Sequence, residues 1–279
     1  MAGTLYLVGT PIGNLGDISP RALETLEAVD FIAAEDTRVT LKLLNHFGIK
    51  KPLVCYFEHN RAEMGEKLLN RLLAGETCAL VTDAGMPAIS DPGEDIVRRC
   101  AECGIPVLAV PGPTALATAL AVSGLPTQRF CFEGFLAATG KTRREHLESL
   151  RGEQRTMVFY EAPHKLLKTL QDMLACFGDR DIALCRELTK LHEEVIRTSL
   201  SAAVDRFSET PPRGEFVLVL RGRAKEEGPA MTEQAALAAV ERHRAAGLKL
   251  KEACRRAAEE TGYAANALYQ LALAGKEKE

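Results

Sequence analysis

Five polar segments interrupt the apolar runs of the first half of this chain: GTPIGNLGD (Gly9 to Asp17), EDTR (Glu35 to Arg38), EHN (Glu58 to Asn60), TDAGMPAISDPG (Thr82 to Gly93) and PGPTA (Pro111 to Ala115). The first spaces its glycines at Gly9, Gly13 and Gly16, which matches neither a nucleoside-triphosphate loop nor the dinucleotide fingerprint. It spends a backbone donor on Pro11 and offers no cation before Arg21, so it is poorly equipped to cradle phosphate. Asp83 and Asp91 add negative charge, while VTDAGMP and AVPGPTA contain neither lysine nor arginine. A cleft of this composition repels phosphate. It accepts an adenosine with a cationic substituent, because carboxylates take ribose hydroxyls and small residues let a flat ring approach the backbone. S-adenosylmethionine meets that description, and the composition also leaves other nucleosides open.

The elements that must position these segments are legible as periodicity. Short β-rich runs at 4–9, 31–35, 53–57, 78–82 and 106–110 alternate with amphipathic helices, the rhythm of a parallel α/β sheet, whose ligands sit at the carboxyl ends of its strands. All five polar segments lie at such ends, so they are expected to line one rim. A comparable second series runs through 130–135, 155–162, 181–188, 194–199 and 215–222. The expectation is two α/β domains, 1–112 and 113–223, with a cofactor cleft between them. After a charged linker, three alanine-rich segments at about 231–246, 249–260 and 264–274 form a small helical accessory unit, 231–275. It looks like a helix-turn-helix type unit with Lys249, Lys251, Arg255 and Arg256 on one helix; a solvated cap or an oligomerisation arm are the alternatives.

The chain has 279 residues, 46% hydrophobic, enough to bury a real core, and a net charge of −3 that does not advertise a nucleic-acid binder. No apolar stretch reaches the ~20 residues needed to span a bilayer, and no signal-like segment opens the chain, so a cytoplasmic protein without a membrane partner is expected. Eight cysteines fall mostly inside apolar patterns, as reduced thiols do. Cys100-Ala101-Glu102-Cys103 lacks a second ligand pair, so no metal is expected.

Three stretches, LYLVGTPIGNLGDISPRALETLEAVDFIAAEDTRVTLKLLNHFGI, VTDAGMPAISDPGEDIVRRC and VPGPTALATALAVSGLPTQRFCFEGFL, together with VFYEAPHKL, CRELTKLHEEVIR and GEFVLVL, resemble the tetrapyrrole-methylase superfamily of S-adenosylmethionine-dependent enzymes. Within it the chain closely resembles the small-subunit ribosomal RNA cytidine-2′-O-methyltransferases. The resemblance implies two α/β domains, a homodimer, a 16S rRNA substrate within the small ribosomal subunit, and S-adenosylmethionine bound by Gly9, Thr10, Pro11, Ile12, Gly13, Thr82, Asp83, Ala84, Gly85, Met86, Pro87, Gly112, Thr114 and Ala115, with Tyr160 and Glu161 closing over it. Porphyrinoid-modifying relatives carry Gly-Asp-Pro where this chain has Asp83-Ala84-Gly85-Met86-Pro87, which argues against a tetrapyrrole substrate. A tetrapyrrole C-methylase and a non-catalytic nucleoside-binding assembly protein stand as the competing readings.

Methyl transfer from a sulfonium is an in-line displacement, and a ribose hydroxyl attacks well only as its proton is removed. Asp36, Glu58, His59, Glu161, His164, Arg186, Glu187 and Lys190 are the candidates. Glu187 or Glu161 is expected to act as base, with Arg186 and Lys190 holding phosphates. Asp36 is alternatively a helix N-cap, His164 a first-turn residue, and Arg186 with Glu187 an ion pair. Lys141, Arg143 and Arg144 are expected to add phosphate contacts.

Overall fold

The period-two alternation of the first strands assigns each residue to one of two cores. In the computed structural model, which describes residues 2–224 and 232–276, β1 (Leu5–Val8), β2 (Phe31–Ala34), β3 (Leu53–Cys55), β4 (Cys78–Val81) and β5 (Val107–Val110) form one parallel sheet in the order β3-β2-β4-β1-β5. Leu5, Phe31, Ala33, Cys78 and Leu80 pack beneath α3 (Arg61–Leu73) and α4 (Glu94–Glu102). Val8, Ile32, Ala34, Ala79 and Val81 pack beneath α1 (Pro20–Ala28) and α2 (Thr37–His46). With both faces covered, the strand ends are where irregular backbone emerges.

The chain then passes through α5 (Ala115–Val122) into β6 (Phe130–Phe135), α6 (Gly140–Ser149), β7 (Thr156–Glu161), α7 (Pro163–Phe177), β8 (Asp181–Arg186), β9 (Glu194–Ser199), α8 (Leu200–Glu209) and β10 (Phe216–Leu220). This second sheet has the order β6-β7-β10-β8-β9 and is mixed: β6 and β7 are parallel, and β7-β10, β10-β8 and β8-β9 are antiparallel. Its rhythm therefore differs from the parallel first series, because β8 reaches β9 through a short loop with no crossover helix. One face buries Met157, Phe159, Leu184 and Leu218 under α6, α7 and α8. The other face packs Val158, Cys185, Val217 and Val219 against α5 and reaches Ile12 of the first polar loop. Both sheets lie in one compact unit, Met1–Arg223.

The second unit, Ala224–Glu279, contains α9 (Glu233–Ala245), α10 (Leu250–Thr261) and α11 (Ala265–Lys276). Its core is built from Ala236, Ala239, Ala253, Cys254, Ala257 and Leu268, small side chains that let helix backbones approach closely. Lys251, Arg255 and Arg256 are exposed on α10 and Lys249 is its N-cap residue. Both arginines lie 3.8 Å from Glu259. No helix among the described residues is long and apolar enough to cross a membrane.

Candidate active site

A cavity of about 470 Å³ opens between the carboxyl ends of the first sheet and the α5-facing side of the second. Ile12, Glu35, Thr82 to Met86, Asp91, Thr114 and Ala115 form its first wall. Phe135, Tyr160, Glu161, Cys185, Leu188, Glu215 and Val217 form the opposite one. Four of the five polar segments thus contribute. The third is a correction: Glu58, His59 and Asn60 do not line this cavity, and Asn60 instead folds back to accept from Phe57 N at 2.9 Å and donate to Cys55 O at 3.0 Å.

The first loop is held in a cramped crossing. Gly9 and Gly112 stand so close that a Cβ on Gly9 would lie 2.7 Å from Gly112 Cα. Thr10 N donates to Gly85 O at 2.9 Å and Gly85 N returns a bond to Thr10 O at 3.1 Å, while Thr10 Oγ1 donates to Thr82 O at 3.1 Å. These bonds tie the first loop to the fourth. Gly9, Thr10 and Gly112 therefore shape the site from behind its lining, and Pro11, Gly13 and Pro87 do not line it either. Gly13 has the same reason to be small, since a Cβ there would meet Lys190 Cγ at 2.5 Å.

Acidic groups dominate the floor. Thr82 Oγ1 donates to Glu35 Oε2 at 2.6 Å, and Asp83 and Asp91 lie in the same wall. Burial, then the charges of Glu35 and Asp83, push the Asp91 carboxyl up to about 6. Burial and Glu35 raise Asp83 as well. On the far wall the Tyr160 hydroxyl accepts from Leu116 N at 3.1 Å, at the start of α5, and its ring meets Phe132 and Phe135 edge-on at 4.9 and 5.5 Å. Thr114 N-caps α5 by accepting from Ala117 N.

The expected bases fare differently. Glu161 lines the cavity but is only 3% exposed, and its two oxygens already accept from Ala162 N and the Thr169 hydroxyl. Glu187 does not line the cavity: Oε1 accepts from Glu215 N at 2.9 Å and from Lys190 Nζ at 3.0 Å, and the Glu215 amide holds its carboxyl below the ordinary range. Lys190 Nζ also reaches Glu215 Oε2 at 2.9 Å, and Arg186 Nε is committed to Arg213 O at 2.6 Å. Glu187 at φ 49° and Thr189 at φ 65° put this β8–β9 loop in the left-handed region. These groups brace the loop that delivers Leu188 to the cavity. Asp36 is the N-cap of α2, its carboxyl pulled down to about 2 by Arg38. His164 sits in the first turn of α7 after Pro163.

Arg143 is a further correction. It is 5% exposed, with its guanidinium bound to Asp172, Ala137 O and Thr169 Oγ1 at 2.9 to 3.0 Å, so it is a buried brace and no phosphate contact. Arg143→Ala should cost about 3 kcal/mol in urea denaturation, since a buried guanidinium with three hydrogen-bond partners is lost while Asp172 keeps only Lys168.

Glu35 lines the cavity as the strand-end rule places the EDTR segment. Phe135, Leu188 and Glu215 lie outside the sequence reading; they reach the cavity through the packing of the second sheet, which no local pattern reports.

The family model for tetrapyrrole (corrin/porphyrin) methylases matches residues 4–204. The chain is 50% identical to a Synechocystis protein named ribosomal RNA small subunit methyltransferase I, over 97% of this chain and 98% of that protein. It is 47% identical to the Haemophilus influenzae protein of the same name, over 100% and 99%. Among solved structures it resembles a uroporphyrin-III-C-methyltransferase from Thermus thermophilus (TM-score 0.56, 21% identity, 78% of this chain and 94% of that one) and a diphthine synthase (TM-score 0.62, 16% identity, 78% and 90%). Two sheets with an acid-floored cavity between them, a family model covering most of the chain and relatives matched end to end agree: the chain belongs to the tetrapyrrole (corrin/porphyrin) methylase family.

Proposed function

We propose that this protein transfers a methyl group from S-adenosylmethionine to the ribose 2′-hydroxyl of a cytidine in small-subunit (16S) ribosomal RNA. The observation that carries the reading is the acidic floor of Glu35, Asp83 and Asp91 facing a wall that carries Phe135, Tyr160, Leu188 and Val217, in a cavity lined by no lysine or arginine among the described residues. Such a site suits a cation joined to a flat ring, and the relatives' printed names supply the RNA. The likeness to the uroporphyrin enzyme extends to the fold alone.

Bound there, S-adenosylmethionine supplies a methyl carbon on a positive sulfur; the C–S bond breaks, a C–O bond forms, and S-adenosylhomocysteine and a proton are left. The chain's residues have three tasks. Gly9, Gly112 and the Thr10–Gly85 bridge fix the loops so that donor and acceptor meet in line. Ile12, Thr114, Ala115 and Tyr160, which line the cavity, would hold the adenosine, and Ala84 to Met86 the methyl-bearing end. Asp91 takes the hydroxyl proton. Burial and Glu35 raise its proton affinity, so it would hold the hydroxyl proton once the sulfur has become neutral. Asp91 takes this role in place of Glu187, which does not line the cavity, and of Glu161, whose two oxygens already accept hydrogen bonds.

The reading carries with it a cytoplasmic location and a homodimer, the latter supported by Leu108 and Phe130, apolar side chains left 51% and 41% exposed in strands β5 and β6. Incubating the protein with methyl-labelled S-adenosylmethionine and undermethylated small subunits, then digesting the RNA, tests it. Label on a cytidine ribose is expected; label on the base, or none, overturns it.

A further inference from the structure

A second cavity, of about 220 Å³, lies on the other side of the Thr82–Asp83 wall, bounded by Thr10, Leu15, Val39 and Leu43. The two cavities share Thr82 and Asp83. The smaller one falls below the ~300–1,000 Å³ of pockets that hold drug-sized ligands, so it suits a single ring. Two apolar side chains stand open at its rim, Leu15 and Val39, 40% and 38% exposed, with Lys42 beside them. Asp83 is tethered on this side, since Oδ1 accepts from Asp36 N at 3.2 Å where α2 begins. Oδ2 has no hydrogen-bond donor among the described residues.

We propose that this second cavity receives the cytosine base of the acceptor nucleotide, with the Asp83 carboxylate accepting from the exocyclic amino group while Leu15 and Val39 close on the ring. The inference rests on the methyl-transfer reading above and names how that site chooses its base. A carboxylate is the natural acceptor for the amino group of cytosine, and uracil presents a carbonyl oxygen at the same place, which leaves two acceptors opposed. The ring of an unstacked nucleotide needs apolar faces on either side. The ribose of that nucleotide would then straddle the shared wall, its 2′-oxygen toward the donor cavity. Lys42, exposed on α2, lines the opening where neighbouring phosphates would run, while Arg38 one turn before it is held by Asp36.

Two variants test this. Val39→Trp fills the cavity from an exposed helix position; it should bind S-adenosylmethionine as the parent does, by calorimetry, and lose about a hundred-fold in methyl transfer to small subunits. Asp83→Ala is compared with the parent on small subunits carrying cytidine or uridine at the target position. The parent should favour cytidine by about ten- to a hundred-fold and the variant by no more than a few-fold. Unchanged transfer by Val39→Trp, or undiminished discrimination by Asp83→Ala, overturns the base receptor while leaving the methyl-transfer reading intact. Should the tryptophan disturb the fold, seen as lost donor binding, the Asp83→Ala comparison decides alone. Absence of transfer by the parent itself overturns both.

Discussion

Asp91→Asn should lower methyl transfer by about 10² to 10⁴, the range for removing a proton acceptor, and weaken S-adenosylmethionine binding about ten-fold, since one carboxylate of the acidic floor is lost. The same change should make the free protein more stable. In the folded chain the Asp91 carboxyl is raised to about 6 from 3.8 by burial and by Glu35, so the folded state binds its proton more tightly than the unfolded chain does. Stability therefore falls as pH rises from about 4 to about 6 and stays reduced above that. Because the site is only half-buried, the recoverable stability is about 1 kcal/mol after screening. Donor binding has the opposite sign: it should rise with pH through about 6 in the parent and be flat over that range in the variant. Thermal melts with parallel calorimetry at pH 5 and pH 8 read both effects. A variant that loses stability and keeps its activity would show Asp91 to be structural.

The second large effect is expected at Gly112. Placing a methyl group there sets a Cβ 2.8 Å from Gly9 O and 2.9 Å from Gly9 Cα. These are backbone atoms of a neighbouring loop, with no flexible side chain to yield. Gly112→Ala should cost about 1–3 kcal/mol, as overpacking does, and should abolish measurable donor binding, because the displaced Gly9 loop carries Thr10 away from Gly85 and Thr82. Gly48→Ala is the contrasting control. Unlike Gly112, it sits at a positive φ of 72°, and nothing lies within 4 Å of the added carbon, so the change should cost about 1 kcal/mol and leave donor binding untouched.

What was legible in the sequence follows from what is local. The strands of the first sheet are short, doubly buried runs that end in turn residues, so each lies within two residues of its expected place. The five strand-end loops announced themselves by composition, and four of them do converge on one cavity. Strand direction in the second sheet was less visible, because an apolar run reads the same whether its neighbour is parallel or antiparallel. Side-chain commitment was hidden altogether. Arg143 and Arg144 are adjacent and identical in type, yet one is buried against Asp172 and the other exposed. Glu187 reads as a free base in the sequence, yet its Oε1 accepts from the amide of Glu215, distant in the chain. Asp91 was legible as charge; burial and Glu35, which raise Asp83 too, carry the Asp91 carboxyl up to about 6.

The central claim, that an acid-floored crevice selects a positively charged donor, is tested most directly by comparing two ligands that differ at one sulfur. Calorimetry of S-adenosylmethionine and of S-adenosylhomocysteine, each from pH 5 to pH 8, should show the preference for the cationic ligand growing as Asp91 ionises near pH 6. A ratio that does not change with pH, or tighter binding of a polyphosphate nucleotide than of either ligand, would contradict it.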